Sequence, residues 1–193
     1  MYKFPLRIPL GRGVEITQVF KSTELVEYYK SKGLDVTSHE AIDVACGNAG
    51  QTYGTPFVCP FPTATLDRIY EGDAEEGISG MIQVTYNGLT LGGLHLSGVV
   101  KQDVYREGDA LGYIGNYGYV LPAPTIGQPF AGSHIHLYTI VDGKAVDPLL
   151  YFDVNDPFRG PDDPSKDRPA IRWAIRQVEK LLGVSLLRFL PGL

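Results

Sequence analysis

Short alternations of apolar and polar residues, separated by turn formers, recur along most of this chain. Alternation with period two predicts half-buried strands. Residues 5–20 read as an entry strand ending in V-E-I-T-Q-V-F. Further strands are predicted at 40–46, 56–59, 63–71, 80–86, 89–95, 110–114 and 134–141. One early segment differs. S-T-E-L-V-E-Y-Y-K-S-K, residues 22–32, reads as a short helix, with Ser22 as N-cap, a glutamate close behind and Gly33 as the stop. Strands this closely spaced, without intervening helices, predict a mostly β fold. An antiparallel sandwich or barrel-like sheet is expected, with a groove for substrate.

Two stretches break the alternation. Residues 115–133, G-N-Y-G-Y-V-L-P-A-P-T-I-G-Q-P-F-A-G-S, read as a long loop, and long loops are often functional. From residue 153 the composition shifts to D-V-N-D-P-F-R-G-P-D-D-P-S-K-D-R, which reads as a linker. A helix is predicted at about 169–182, with Pro169 near its first turn and Gly183 after it. Ile171, Ile175, Val178 and Leu182 make its apolar stripe, and Arg172, Arg176 and Lys180 its basic side. The expected organisation is therefore a domain over 1–152, a linker over 153–168, and a helix with an apolar tail over 169–193. That last segment either packs back on the sheet or docks a partner or the cell envelope.

Composition narrows the partners. The 193 residues carry a formal net charge of −5, which argues against nucleic acid. The 23 glycines, 14 prolines and 12 tyrosines favour sheet and turns over a helical bundle. No apolar window reaches the length of a membrane span, and the N-terminal residues show no signal-peptide pattern. Synthesis in the cytoplasm is expected, with any export by another route. Cys46 and Cys59 lie in neighbouring strand candidates. They read as two buried thiols, with a disulfide between them the alternative.

All four histidines fall in three short motifs. In G-S-H-I-H-L, strand geometry puts His134 and His136 on one face and Ile135 and Leu137 on the other. Two such imidazoles can both ligate one metal, or one can ligate while the other moves protons. In S-H-E-A-I-D, a strand would place His39, Ala41 and Asp43 on one face, with small Ala41 leaving room for an ion. His95 ends the run L-T-L-G-G-L, where Gly92 and Gly93 allow close approach of something bulky. Catalytic zinc takes three protein ligands and leaves a position for water, so two histidines and a carboxylate suffice.

These motifs, in this order, resemble the lysostaphin-like (LytM-type) zinc metalloendopeptidases, which cut peptide cross-links in bacterial peptidoglycan. The resemblance runs from about Val14 to Phe152. It covers I-T-Q-V-F, the H-x-x-x-D of S-H-E-A-I-D, and G-T-P-F-V-C-P-F-P-T-A-T-L. It continues through L-H-L-S with G-Y-I-G-N-Y-G, and closes on G-S-H-I-H-L-Y with V-D-P-L-L-Y-F. Each piece alone is weak, but the ordered set is specific. The resemblance implies one zinc ion on His39, Asp43 and His136, with His95 and His134 as the catalytic pair. An uncoordinated imidazole then accepts a proton from water and returns it to the leaving amine, while the other donates to the oxyanion. Spacing does not say which does which.

Some positions depart from the family pattern. Ala41 replaces a usual glycine, Lys21 stands where glycine is common, Cys59 replaces a frequent alanine, and Leu94 precedes His95. None removes a ligand or a catalytic histidine. Asn116, Tyr117 and Tyr119 of the long loop are expected to contact the substrate peptide. A wall substrate without a visible export segment suggests a phage lysin or virion-associated enzyme. The rival expectation is a relative that kept the fold but lost catalysis, acting as a binding, activator or structural virion module.

Overall fold

Residues 1–73 and 76–160 are described by the structure, a computed structural model. The helix and tail expected over 169–193, and the linker beyond residue 160, lie outside the described residues.

Among the described residues the chain forms twelve strands: β1 Tyr2–Ile8, β2 Glu15–Gln18, β3 Ile42–Ala45, β4 Pro56–Val58, β5 Thr63–Tyr70, β6 Gly80–Tyr86, β7 Leu89–Val99, β8 Val104–Arg106, β9 Ala110–Ile114, β10 Ile135–Val141, β11 Lys144–Val146 and β12 Phe152–Arg159. Helix α1 spans Thr23–Ser31 and a single-turn α2 spans Ala49–Thr52. The main path runs β12-β1-β4-β9-β7-β10-β3-β2, with β6 on the other edge of β7. The sheet curls into a half-barrel. Every pairing is antiparallel except β1 with β12. No helix among the described residues is long and apolar enough to cross a membrane.

Three details differ from the sequence reading. The entry segment is two strands, because Pro9 lacks an amide hydrogen and the chain turns through Pro9–Arg12, where Arg12 N–H donates to Pro9 O at 3.3 Å. Residues 153–159, expected as linker, belong to β12. Their Asp, Asn and Pro resemble a turn, but Phe152 and Pro157 are buried and align with Tyr2 and Phe4. The strand expected from residue 40 starts only at Ile42, so His39 reaches the site from the preceding loop.

Helix α1 forms as expected. Ser22 Oγ accepts from Leu25 N–H at 3.3 Å, and Gly33 follows the last turn with φ +79°. No residue of α1 is buried, so it rests on the surface beside the groove.

The core lies on the face opposite the histidines. Ile42, Val44, Ile135 and Leu137 are fully buried there. Each contributes about 1.5–3 kcal/mol by leaving water. Both cysteines are buried free thiols, and burial pushes Cys46 up to about 12 and Cys59 up to about 11.

The glycine pair in β7 explains how two layers approach this strand. A Cβ on Gly92 would fall 2.1 Å from Tyr138 Cζ, and one on Gly93 would fall 2.7 Å from Ile135 Cδ1 and 3.0 Å from Phe57 Cε1. The Gly93→Ala protein is therefore expected to be overpacked by about 1–3 kcal/mol. Thermal unfolding should show a lower Tm. An unchanged Tm would mean the strand has slack that the structure does not show.

Candidate metal and catalytic centre

Strand register assembles the site. In the β3–β10 pairing, Asp43 and His136 stand directly opposite each other. Directly paired residues bring their side chains within reach on one face. His39 joins them from the loop before β3. Its Nδ1–H faces Val19 O at 3.3 Å, which leaves Nε2 free to ligate. His39 Nε2 lies 3.3 Å from Asp43 Oδ1, His136 Nδ1 lies 3.0 Å from the same oxygen, and the two nitrogens are 3.2 Å apart. One donor atom from each of the three residues falls within 4.8 Å of the others.

The other two histidines converge on this cluster. β10 pairs with β7 through residues 89–94, and β9 pairs with the same edge through residues 96–99. His95 sits where one partner strand hands over to the next. Opposite, the β6 register skips from Gly80–Leu96 to Ile82–Gly93, so Leu94 and His95 form a bulge. His95 has φ +66°, an uncommon conformation for a residue with a side chain. Its ring centroid lies 4.6 Å from that of His134 and 6.0 Å from that of His136. His134 precedes β10, and its Nε2 lies 3.8 Å from Asp43 Oδ1.

Hydrogen bonds settle the tautomers. His95 Nδ1 meets Tyr117 O at 2.8 Å, and His134 Nδ1 meets Gly132 O at 2.7 Å. A carbonyl only accepts, so both rings carry hydrogen on Nδ1 and leave Nε2 as a lone pair.

The electrostatics match this division. Burial alone would raise the Asp43 pKa. Hydrogen bonds from His136 and His39 reverse that and hold the carboxyl well below the usual carboxylate range. Burial pulls His39 down, but the hydrogen bond and charge of Asp43, together with Val19 O, leave it raised overall. Burial pushes His95 down to about 4, helped by His134, and also lowers His134. The free pair is therefore neutral near pH 7, and Asp43 is ionised.

A groove of about 970 Å³ opens over the cluster. Leu34 and Val36 line it from the segment after α1, and Tyr70 and Met81 from the β5–β6 side. Of the three loop residues expected at substrate, Tyr119 lines the groove and touches Tyr29 at a ring separation of 5.9 Å. Tyr117 reaches the site through its backbone carbonyl. Asn116 does not fit its expected role. It is 3% exposed, and its Nδ2 donates to Pro129 O at 3.0 Å and to Ala131 O at 2.9 Å, so it ties the loop down. A turn-rich loop must satisfy its own carbonyls, and Asn116 does this from inside. Tyr138 and Ser79 line the groove without having been singled out in the sequence. Continuing the H-x-H alternation by one step would have found Tyr138. Nothing in the sequence marks Ser79.

No protein-family model and no curated protein matches the chain. Solved structures do resemble it. One is a candidate glycyl-glycine endopeptidase, LytM, from Ruminococcus gnavus, with TM-score 0.55 and 19% identity over 84% of this chain and 64% of that one. A second is a zinc-containing peptidase from Vibrio cholerae, with TM-score 0.52 and 16% identity over 76% of this chain and 39% of that one. The chain has the LytM-like fold. A third, from the SpoIIQ–SpoIIIAH pore-forming complex, gives TM-score 0.51 and 19% identity over 79% of this chain and 94% of that one. This chain thus spans well under half of the Vibrio peptidase and just under two thirds of the Ruminococcus protein.

Proposed function

We propose that the protein is a zinc-dependent endopeptidase of the lysostaphin-like (LytM-type) family, hydrolysing amide bonds in the peptide stems or cross-bridges of bacterial peptidoglycan. The observation that carries this reading is the convergence of His39 Nε2, Asp43 Oδ1 and His136 Nδ1, with two neutral imidazoles at the same spot. Two nitrogen donors and one anionic oxygen suit zinc, and the set leaves room for solvent and substrate. When bound, zinc would polarise the scissile carbonyl and make attacking water more acidic. The remaining chemistry falls to the chain. Asp43 supplies the negative charge that balances the cation. His95 and His134 each present an unprotonated Nε2, so each starts as a proton acceptor, and the ring that takes the proton returns it to the leaving amine. The groove binds the peptide on both sides of this point. In the same reading, the protein is a phage lysin or virion-associated enzyme that reaches the wall by phage delivery or by release on lysis.

The test is mass analysis of fragments released from purified peptidoglycan by the zinc-loaded full chain. Expected are peptides with new amino and carboxyl termini, lost after chelation and restored by zinc. Release that ignores chelation, or no release at all, would end this reading.

A second reading has one observation behind it, the fold likeness to a chain of the SpoIIQ–SpoIIIAH complex. It makes the protein a non-catalytic binding, activator or structural virion module. The presence of all five site groups favours the enzyme. Purified protein that neither carries nor takes up near-stoichiometric zinc would favour the module.

A further inference from the structure

We propose that Ser79 is a positioning residue for His95, an inference that rests on the catalytic role given to His95 above. Its hydroxyl holds the strained backbone that aims the ring.

His95 stands in a β-bulge with φ +66°. A bulge leaves its extra residue without a ladder partner. The His95 N–H finds one outside the ladder, in Ser79 Oγ at 2.7 Å. Ser79 is half-buried, lines the groove, and directs its own hydroxyl hydrogen toward Gly80 O at 3.2 Å. The accepted bond satisfies an amide that the left-handed conformation turns away from the sheet.

The same serine also bears on the second support of the ring. His95 Nδ1–H is held by Tyr117 O. The next residue, Gly118, has φ +83°, and a Cβ there would lie 2.9 Å from Ser79 Cβ and 3.2 Å from its Cα and N. The loop therefore rests directly on Ser79 just past the carbonyl that fixes the His95 tautomer. Ser79 ends the β5–β6 connection at β6, which itself approaches β7 closely. A Cβ on Gly80 would fall 2.3 Å from Leu96 O. Ser79 thus holds the His95 backbone itself and packs against the loop whose Tyr117 O holds the ring. Removing the hydroxyl frees the amide and relaxes the bulge toward ordinary extended backbone, and the imidazole then loses Tyr117 O.

The experiment compares Ser79→Ala and Ser79→Cys with the unchanged full chain. Cysteine keeps the volume but is a weak acceptor, so it carries the test if the alanine protein folds poorly. Nitrogen-15 NMR of the imidazoles reads the tautomer of His95, and kinetics on peptidoglycan peptides read kcat and KM. In the unchanged protein His95 is expected as the Nδ1–H tautomer. In both variants it should become a tautomer mixture. kcat should fall by on the order of 10²-fold, as for a reacting group displaced by about 1 Å, with KM and zinc content unchanged. An identical His95 tautomer in the variants would overturn the proposal. If the unchanged protein cleaves nothing but its His95 tautomer still depends on Ser79, the peptidase reading fails while the positioning role stands.

Discussion

Replacing His134 with alanine is expected to lower kcat on peptidoglycan by about 10²- to 10⁴-fold, the range for loss of a positioned proton-transfer group. Zinc content should stay near stoichiometric, because the three converging donor atoms belong to other residues. The geometry makes this specific. His134 Nδ1–H is committed to Gly132 O, so its only free nitrogen is Nε2, 3.8 Å from Asp43 Oδ1 and beside the His95 ring. Burial keeps that nitrogen unprotonated near neutral pH. A ring that can only accept at the start of the reaction has no substitute in alanine, and the neighbouring His95 is aimed by different carbonyl and hydroxyl partners. Fragment release per unit time, measured alongside metal content, checks the expectation. A His134→Ala protein that releases fragments at the original rate would remove His134 from the mechanism.

The Asp43→Asn protein is expected to lose zinc and, with it, activity down to background. Asparagine keeps the shape and an oxygen at Oδ1, so the fold should survive, but the His39, Asp43 and His136 donor set loses its carboxylate charge. Asp43 Oδ1 is the common neighbour of three imidazoles, at 3.0 Å from His136, 3.3 Å from His39 and 3.8 Å from His134. Its carboxyl is held ionised far below neutral pH by those rings. Affinity should fall by more than the about 10–100-fold that accompanies loss of an outer hydrogen-bond partner of a metal ligand. Elemental analysis after dialysis and a zinc titration read this directly. Near-stoichiometric zinc in Asp43→Asn would show that the cation is held elsewhere. The two substitutions together separate the roles, since one should abolish turnover with the metal in place and the other should abolish the metal itself.

Much of this site was legible because strands have a rigid period. H-x-H places His134 and His136 on one face and Ile135 and Leu137 on the other, and the structure has Ile135 and Leu137 fully buried. Gly92 and Gly93 announced a close approach, which proves to be the ring of Tyr138 on one side and the side chains of Ile135 and Phe57 on the other. Asn116 misled for a related reason. Its place in a glycine- and proline-rich loop suggested an exposed contact, but a polar side chain there can equally serve the loop's own buried carbonyls. β12 was hidden because its burial depends on β1, which is 150 residues away in sequence.

Local pattern by itself determined that the chain is mostly β, where most strands and the first helix lie, and that His134 and His136 share a strand face. Those properties follow from side-chain alternation, capping and turn formers, all of which act within a few residues. Only the tertiary structure decided that Asp43 pairs across from His136, that His39 comes from a loop, that His95 occupies a left-handed bulge where β10 gives way to β9, and that Ser79 supports it. Register between distant strands depends on how the whole sheet packs, and no short stretch of sequence contains that information.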